Sequence, residues 1–460
     1  MSSTAAEQRT WLFEKEKISK AVFRLSIPTI CSNLVMILYS LADTFFVGMI
    51  NSPAQSAAVS IVSPVLLAFN AINNLFGVGA SSMMSRALGA RDYKTLKQSS
   101  AFGFYGSLIC GVIFSMAAAL FIEPLVRLLG ASEETLAPSE RYLLWAVILG
   151  APFSILNVVM GYLVRAEGNT LQASIGTMSG AFINIILDPI FILIFGMKAE
   201  GAALATMISN VCACLYFFGY LYFRRKTTLV CIDWHEFGFR KKIVSGVCAV
   251  GIPASIQNLL NVISQILMNN IAAFYGTVAV AALGIAFRSS QVLMYVGMGI
   301  SQGVMPLIGY TYAARMVDRM KKCIFYTMKL SVAVLFCLTV LYELFPSEIM
   351  SAFIGDPDTI AIGSVLIRGM ALANPFLAVD FMNVGIFQAC GKGKQSLILA
   401  ILRKGVFEIP FMFLFTNLIG INGIGFSALA AEVLMSLISL MMLRSLLKKI
   451  ERQDKAAEML

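Results

Sequence analysis

Apolar runs of about 20 residues, each closed by a short polar or charged cluster, recur from residue 27 to residue 443. A helix that long crosses a hydrocarbon core about 30 Å thick. Lipid offers no partner to a free backbone N–H or C=O, so runs of this length and uniform apolarity admit helices rather than irregular chain. The pattern predicts spans near 27–50, 57–83, 98–122, 141–164, 171–195 and 200–223. After a polar stretch over 224–243 it predicts six more, near 244–271, 279–311, 323–345, 359–387, 396–418 and 421–443. The expected fold class is an all-α integral membrane protein, with twelve transmembrane helices in two pseudo-symmetric six-helix bundles.

The expected boundaries follow. Residues 1–26 form an amino-terminal cytoplasmic segment, 27–223 a first lobe, 224–243 an inter-lobe loop, 244–443 a second lobe and 444–460 a tail. Within the first segment, residues 8–25 mix Trp11, Phe13 and Phe23 with charges, which predicts a short interfacial helix. Net charge is +10, but the basic residues lie between apolar runs and at the chain ends instead of forming one patch, so no nucleic-acid partner is expected. The charge reads as topology. Arg86, Arg91, Lys94 and Lys97, then Arg165, then Arg224 to Lys242, then Arg315 to Lys322, then Lys392 and Lys394 all fall in alternate connections. Such connections face the cytoplasm, which places both termini there. A multi-pass protein of a bacterial cytoplasmic membrane is expected. The segment before residue 27 is basic and lacks a small-residue cleavage pattern, so no removed signal peptide is expected. The cysteines show no metal-ligand spacing and the one histidine, His235, lies in a loop, which argues against a zinc site.

The chain also repeats. Ile27-Pro28 with Asn33 recurs as Ile252-Pro253 with Asn258, Gly79 and Arg91 recur as Gly303 and Arg315, and Ala203-Leu204-Ala205 recurs as Ala428-Leu429-Ala430, all at offsets of 223 to 225. Six spans per half give both halves one orientation, which implies an axis along the membrane normal and a transport route between them.

Against this background Asp188 stands out, in AFINIILDPIFILIFG. A carboxylate at membrane depth costs at least about 2.5 kcal/mol and by default marks an ion or proton site. Asn184 precedes it by one turn on the same face, and Pro189 deprives the Ile185 carbonyl of its helical donor. Asp43 in the first apolar run and Thr206 in the sixth fall at a similar depth, roughly 10 Å from one surface. The charge pattern assigns that level to the outer half of the membrane. Carrying the repeat through, with an offset of 221 near Pro189 and Pro410, the counterparts of Asp43, Asn184, Asp188 and Thr206 are Met268, Gly405, Ile409 and Ala431. An architectural need would act on both halves alike, so this asymmetry points to function in the first. Two nearby carboxylates in low dielectric cannot both stay charged without a cation, and amide, hydroxyl and carbonyl oxygens suit Na⁺ as well as a hydrogen-bonded proton. The alternative is polar groups satisfied locally, without a task.

At these residues, from SIPTICSNLVMILYSLADTFFVG through NIILDPIFI and GAALAT to the second-half NPF segment and GKGKQ, the chain resembles the multidrug and toxic compound extrusion (MATE) family, bacterial branch. The resemblance implies a V-shaped pair of lobes around a central cavity. It implies a cation or proton site at Asp43, Asn184, Asp188 and Thr206, and secondary antiport exporting amphipathic, often cationic, organic compounds in exchange for H⁺ or Na⁺. No further cofactor is expected, nor catalysis, and the transporter is expected to work as a monomer among membrane lipids.

Tyr39 and Met36 share the Asp43 face and are candidate substrate contacts, although Met36 also suits core packing. The second half holds Asp380, Arg403, Lys404, Glu408 and Glu432. Asp380 and Arg403 lie at one depth and are expected to pair in a structural or gating network. Some relatives place coupling acids in the seventh and tenth helices; here the seventh carries Gln257, Asn258 and Asn261 instead. Arg288, inside the eighth run, has no evident partner. GVGAS over 77–81 lacks a following GK[ST], so no nucleotide-driven step is expected and energy must come from an ion gradient. A flippase for a lipid or lipid-linked oligosaccharide is the alternative within the same superfamily. An intramembrane enzyme and a channel are further alternatives; the first lacks a nucleophile–base or metal pair, and the second does not fit a two-lobe duplication with one-sided acids.

Overall fold

The structure, a computed structural model, describes residues 10–50 and 52–458. The described residues are almost entirely helical and contain no strand. The spanning helices are α1 (Ile18–Gly48), α2 (Pro53–Gly89), α3 (Tyr93–Leu120), α4 (Glu133–Leu149 with Ala151–Ala166), α5 (Thr170–Ile194) and α6 (Lys198–Phe223). Then come α7 (Lys241–Phe274), α8 (Thr277–Ala313), α9 (Val317–Leu344), α10 (Pro357–Ala389), α11 (Gly393–Ile401, Leu402–Glu408 and Ile409–Ile419) and α12 (Gly423–Glu458). The two halves of α4 meet at a 45° bend and together make one span. At Gly150 the bend is tight enough that a Cβ would lie 2.6 Å from the Trp145 carbonyl oxygen. Between α11 and α12 the chain turns at Gly420–Asn422, with Gly420 at φ +68°, so the apolar stretch Gly393–Ala456 is two spans. Twelve spans result, as the apolar pattern predicts.

The duplication is written into the turns. Just past the end of α2 lies Arg91 at φ +57°, and just past α8 Arg315 at φ +55°, both unusual for a residue bearing a Cβ. Each is the left-handed residue of a Schellman cap: Asp92 N–H donates to Ala87 O at 2.9 Å, and Met316 N–H to Thr311 O at 3.0 Å. Gly168 and Gly391 repeat the same relation, at φ +88° and +71°.

Packing divides the chain into two units. One holds Cys31–Ser255 with the residues up to Lys15; the other holds Glu16–Ile30 and Ile256–Leu460. The first part of α1 thus packs within the second unit, where Gly303 of α8 meets it so closely that a Cβ would lie 2.6 Å from the Leu25 carbonyl oxygen. In the first unit, Gly79 of α2 meets the first part of α7, with a hypothetical Cβ 2.5 Å from the Val247 carbonyl oxygen. The interfacial helix expected over 8–25 takes another form. A short helical turn begins at Thr10, while residues from Ile18 onward already belong to α1, because nothing between Ile18 and Ile27 interrupts the helix. Residues 8 and 9 lie outside the described residues.

The polar stretch after α6 is packed onto the first unit. Leu229 and Val230 are buried, and Trp234 and Phe237 join an aromatic cluster with Tyr105 and Phe102. Its anchor is Glu167, 1% exposed, which accepts hydrogen bonds from the Leu229 N–H at 2.6 Å, Thr228 Oγ1 at 3.0 Å and Tyr220 Oη at 2.6 Å.

Candidate functional site

Asp188 is fully buried near the C-terminal end of α5, where the α-helix gives way after Pro189 to a wide π-type turn over Ile190–Ile194. A proline cannot donate the i→i−4 bond, and π turns occur often at functional sites. One turn back on the same face lies Asn184, 1% exposed. Its amide orientation follows from its partners. With the nitrogen toward the acid, Asn184 donates to Asp188 Oδ2 at 2.8 Å, and its oxygen accepts from the Thr206 N–H at 3.1 Å and hydroxyl at 3.2 Å. Acid, amide and hydroxyl thus form a short chain across α5 and α6.

From α1, Tyr39 adds a hydrogen bond to the Thr206 side chain, and the charge of Asp43 acts directly on Asp188. Asp43 itself is half-buried. Asp188 Oδ1 is buried and has no hydrogen-bond donor among the described residues. An orphaned carboxylate oxygen in such a setting is costly unless a proton or cation meets it. Asp43, Asn184, Asp188, Thr206 and Tyr39 are thereby brought together. Met36, 40% exposed on α1, adds no polar group to them.

Three further residues belong to the same cluster and escaped the sequence reading. Tyr142, in the first part of α4 before its bend, is buried where the charges of Asp43 and Asp188 both reach it. Asn210 donates to the Thr206 carbonyl at 2.8 Å and accepts from Asn157 Nδ2 at 3.1 Å, which extends the chain from α6 to α4. The available signal was an amide within an apolar run, Asn210 one turn after Thr206. Which helix it faces is a tertiary matter. Among the described residues no group of three or more His, Cys, Asp or Glu side chains is placed to hold a metal ion. The donor set here is two carboxylates with neutral oxygens.

The second unit holds its own cluster of buried charges. Arg403 Nη1 pairs with Asp380 Oδ2 at 3.3 Å and Nε with Glu432 Oε1 at 3.2 Å, and the guanidinium lies over the Phe381 ring. Lys404 pairs with Glu408 at 2.6 Å, and Ser264 donates to Glu408 at 2.7 Å. The expected Asp380–Arg403 pair is present, and Glu408 belongs to a second pair beside it. They link α10, α11, α12 and α7 of this unit.

A duplicated bundle of twelve spanning helices with a polar chain buried inside one half is the architecture of a membrane transporter, not of an enzyme. The comparisons agree. A MatE family model matches residues 28–190 and again 253–414, in register with the internal repeat. The Multidrug export protein MepA of Staphylococcus aureus (strain MSSA476) is 32% identical over 438 residues, 95% of each chain. A solved outward-facing multidrug resistance MATE family transporter of the MOP superfamily superposes with a TM-score of 0.90 at 26% identity, covering 96% of this chain and 98% of that one. A MATE structure described as in the bent conformation gives 0.89 at 26%, over 99% and 100%. The chain belongs to the MATE family of multi-pass membrane transporters.

Proposed function

We propose that this protein is a secondary antiporter that exports amphipathic, often cationic, organic compounds while H⁺ or Na⁺ moves inward through Asp43 and Asp188. The observation that carries the reading is the buried, unpartnered Asp188 Oδ1 at the head of the Asn184–Thr206 chain, within reach of the Asp43 charge. The ion fills the place of the missing donor. When the site is loaded, the two carboxylates are neutralised and α1, which carries Asp43 and Tyr39, can settle against α5 and α6. When it is empty, the acids repel and α1 moves away, which favours substrate binding in the first lobe. Ion and substrate therefore stabilise different states, which is all that coupling requires. One charge crossing the full field supplies about 2.3 kcal/mol per 100 mV.

In this reading the lobes are residues 27–223 and 244–443, both termini are cytoplasmic, and the acid site lies in the outer half of a bacterial cytoplasmic membrane. The protein acts as a monomer among lipids, without a nucleic-acid partner. Tyr39 borders the substrate cavity with Met36, and the Asp380, Arg403 and Glu408 network holds the second lobe together. The test is dye efflux from cells under separately imposed proton and sodium gradients. Efflux by the wild type should follow one of the two gradients, and Asp188→Asn should abolish it at normal membrane abundance. Ion-driven efflux retained by Asp188→Asn would refute the role given to this acid.

A further inference from the structure

One face of α8 does not belong in contact with lipid. Arg288 lies eleven residues past Thr277, about 16 Å along the axis and thus near the middle of a hydrocarbon core about 30 Å thick. Its side chain is exposed, and it has neither a hydrogen bond nor an ion pair among the described residues. A cation at that depth faces a water-filled route or a partner, because hydrocarbon gives it nothing. The helical register supports the first of these. Gln291 and Tyr295 follow at steps of three and four, both half-buried on the Arg288 face. The other side of α8 is taken up by packing within its unit, with Ala282, Ala286 and Leu293 buried and the Ser289 carbonyl accepting from Tyr342 Oη at 3.0 Å.

The duplication supplies a second, independent observation. At the offset of 224 that relates Gly79 to Gly303, the counterparts of Arg288, Gln291 and Tyr295 on α2 are Pro64, Leu67 and Ala71. The equivalent face of the first half is apolar. A residue required by the architecture would recur, so the cation and its amide neighbour serve something specific to the second half. The guanidinium is a planar fork suited to an oxyanion, and an amide three residues on can donate to the same group.

Building on the export reading, we propose that the Arg288–Gln291–Tyr295 face of α8 is a substrate contact that holds the carboxylate of an aromatic amphiphile. Arg288 and Gln291 take the oxyanion while Tyr295 offers an edge to the aromatic body.

The experiment compares two dyes that differ only at this group, tetramethylrhodamine with its free carboxylate and the methyl ester of the same dye. Each is titrated by fluorescence polarisation into the purified full-length protein in detergent, with no gradient. The wild type should bind both, and Arg288→Gln should lower the ratio of carboxylate to ester affinity about tenfold, with Arg288→Lys recovering part of it. Ester binding by the same preparation reports that the variant is folded. A ratio unchanged in Arg288→Gln, or a wild type that binds neither dye, overturns the proposal. So does displacement of the carboxylate dye by phosphatidylglycerol but not by benzoate, which would make Arg288 a lipid headgroup site. A protein that shows the Arg288-dependent ratio yet exports nothing under either ion gradient would sink the export reading and leave this contact standing.

Discussion

Glu167 shows how a single residue's role depends on what surrounds it. It stands two residues after Arg165 in a short connection between two apolar runs. In the fold it is buried and accepts from two hydroxyls and a main-chain N–H, which fixes the stretch after α6 to the first unit. Removing the acceptor leaves those donors buried without partners, at about 1–3 kcal/mol. Glu167→Ala should therefore lower the thermal midpoint in detergent and expose residues 224–240 to limited proteolysis; an unaltered digestion pattern would count against the anchor. The contrast with Asp188 is instructive. A carboxylate inside an apolar run violates the local pattern and can be found by inspection, and with it Asn184 one turn away. Tyr142, Asn157 and Asn210 could not be found that way. An aromatic or an amide in a spanning helix is ordinary, and only the helix opposite decides whether it meets an acid.

At the scale of the element, helix ends carry most of what lies outside the membrane. Asp92 caps α3: Thr95 donates its N–H at 3.0 Å and its hydroxyl at 2.6 Å, and Lys242 lies 3.1 Å away. The Thr95 bonds, chiefly that from its hydroxyl, with a smaller contribution from Lys242, bring the Asp92 carboxyl down to about 2. Because the folded value lies below that of an unfolded aspartate, about 3.9, the cap stabilises fully above the unfolded value and is lost as pH falls through the folded one. Asp92→Ala should cost about 1 kcal/mol at neutral pH, and its gap from the wild type should close as pH falls from about 4 toward about 2. Thermal unfolding across that range checks it, and a gap that stays constant would mean the charge contributes nothing. The spans themselves were legible because length and apolarity suffice for a helix in lipid. The bend in α4 and the π turn after Pro189 were not, since they depend on how a helix is packed as much as on its residues.

For the whole molecule, the repeat at offsets of 223 to 225 was visible in short strings such as Ile27-Pro28 and Ile252-Pro253, and it returns as paired left-handed caps at Arg91 and Arg315. What hydropathy could not convey is partnership. The first parts of α1 and α7 each pack outside the set of six spans to which they belong in sequence, held by close approaches at Gly303 and Gly79. A side chain at either glycine forces apart backbones already in contact. Gly303→Val should cost about 1–3 kcal/mol or more in thermal stability, and a neutral result would show that this packing is looser than drawn. The central claim is that the Asp43–Asp188 pair takes up and releases the ion that drives export, and the most direct test is exchange in proteoliposomes. An outwardly directed ethidium gradient is imposed, and the opposing flux of H⁺ or radioactive Na⁺ is recorded for the wild type, Asp43→Asn and Asp188→Asn. The account predicts counter-flux of one of the two ions in the wild type and none in either variant; counter-flux persisting in both variants would contradict it.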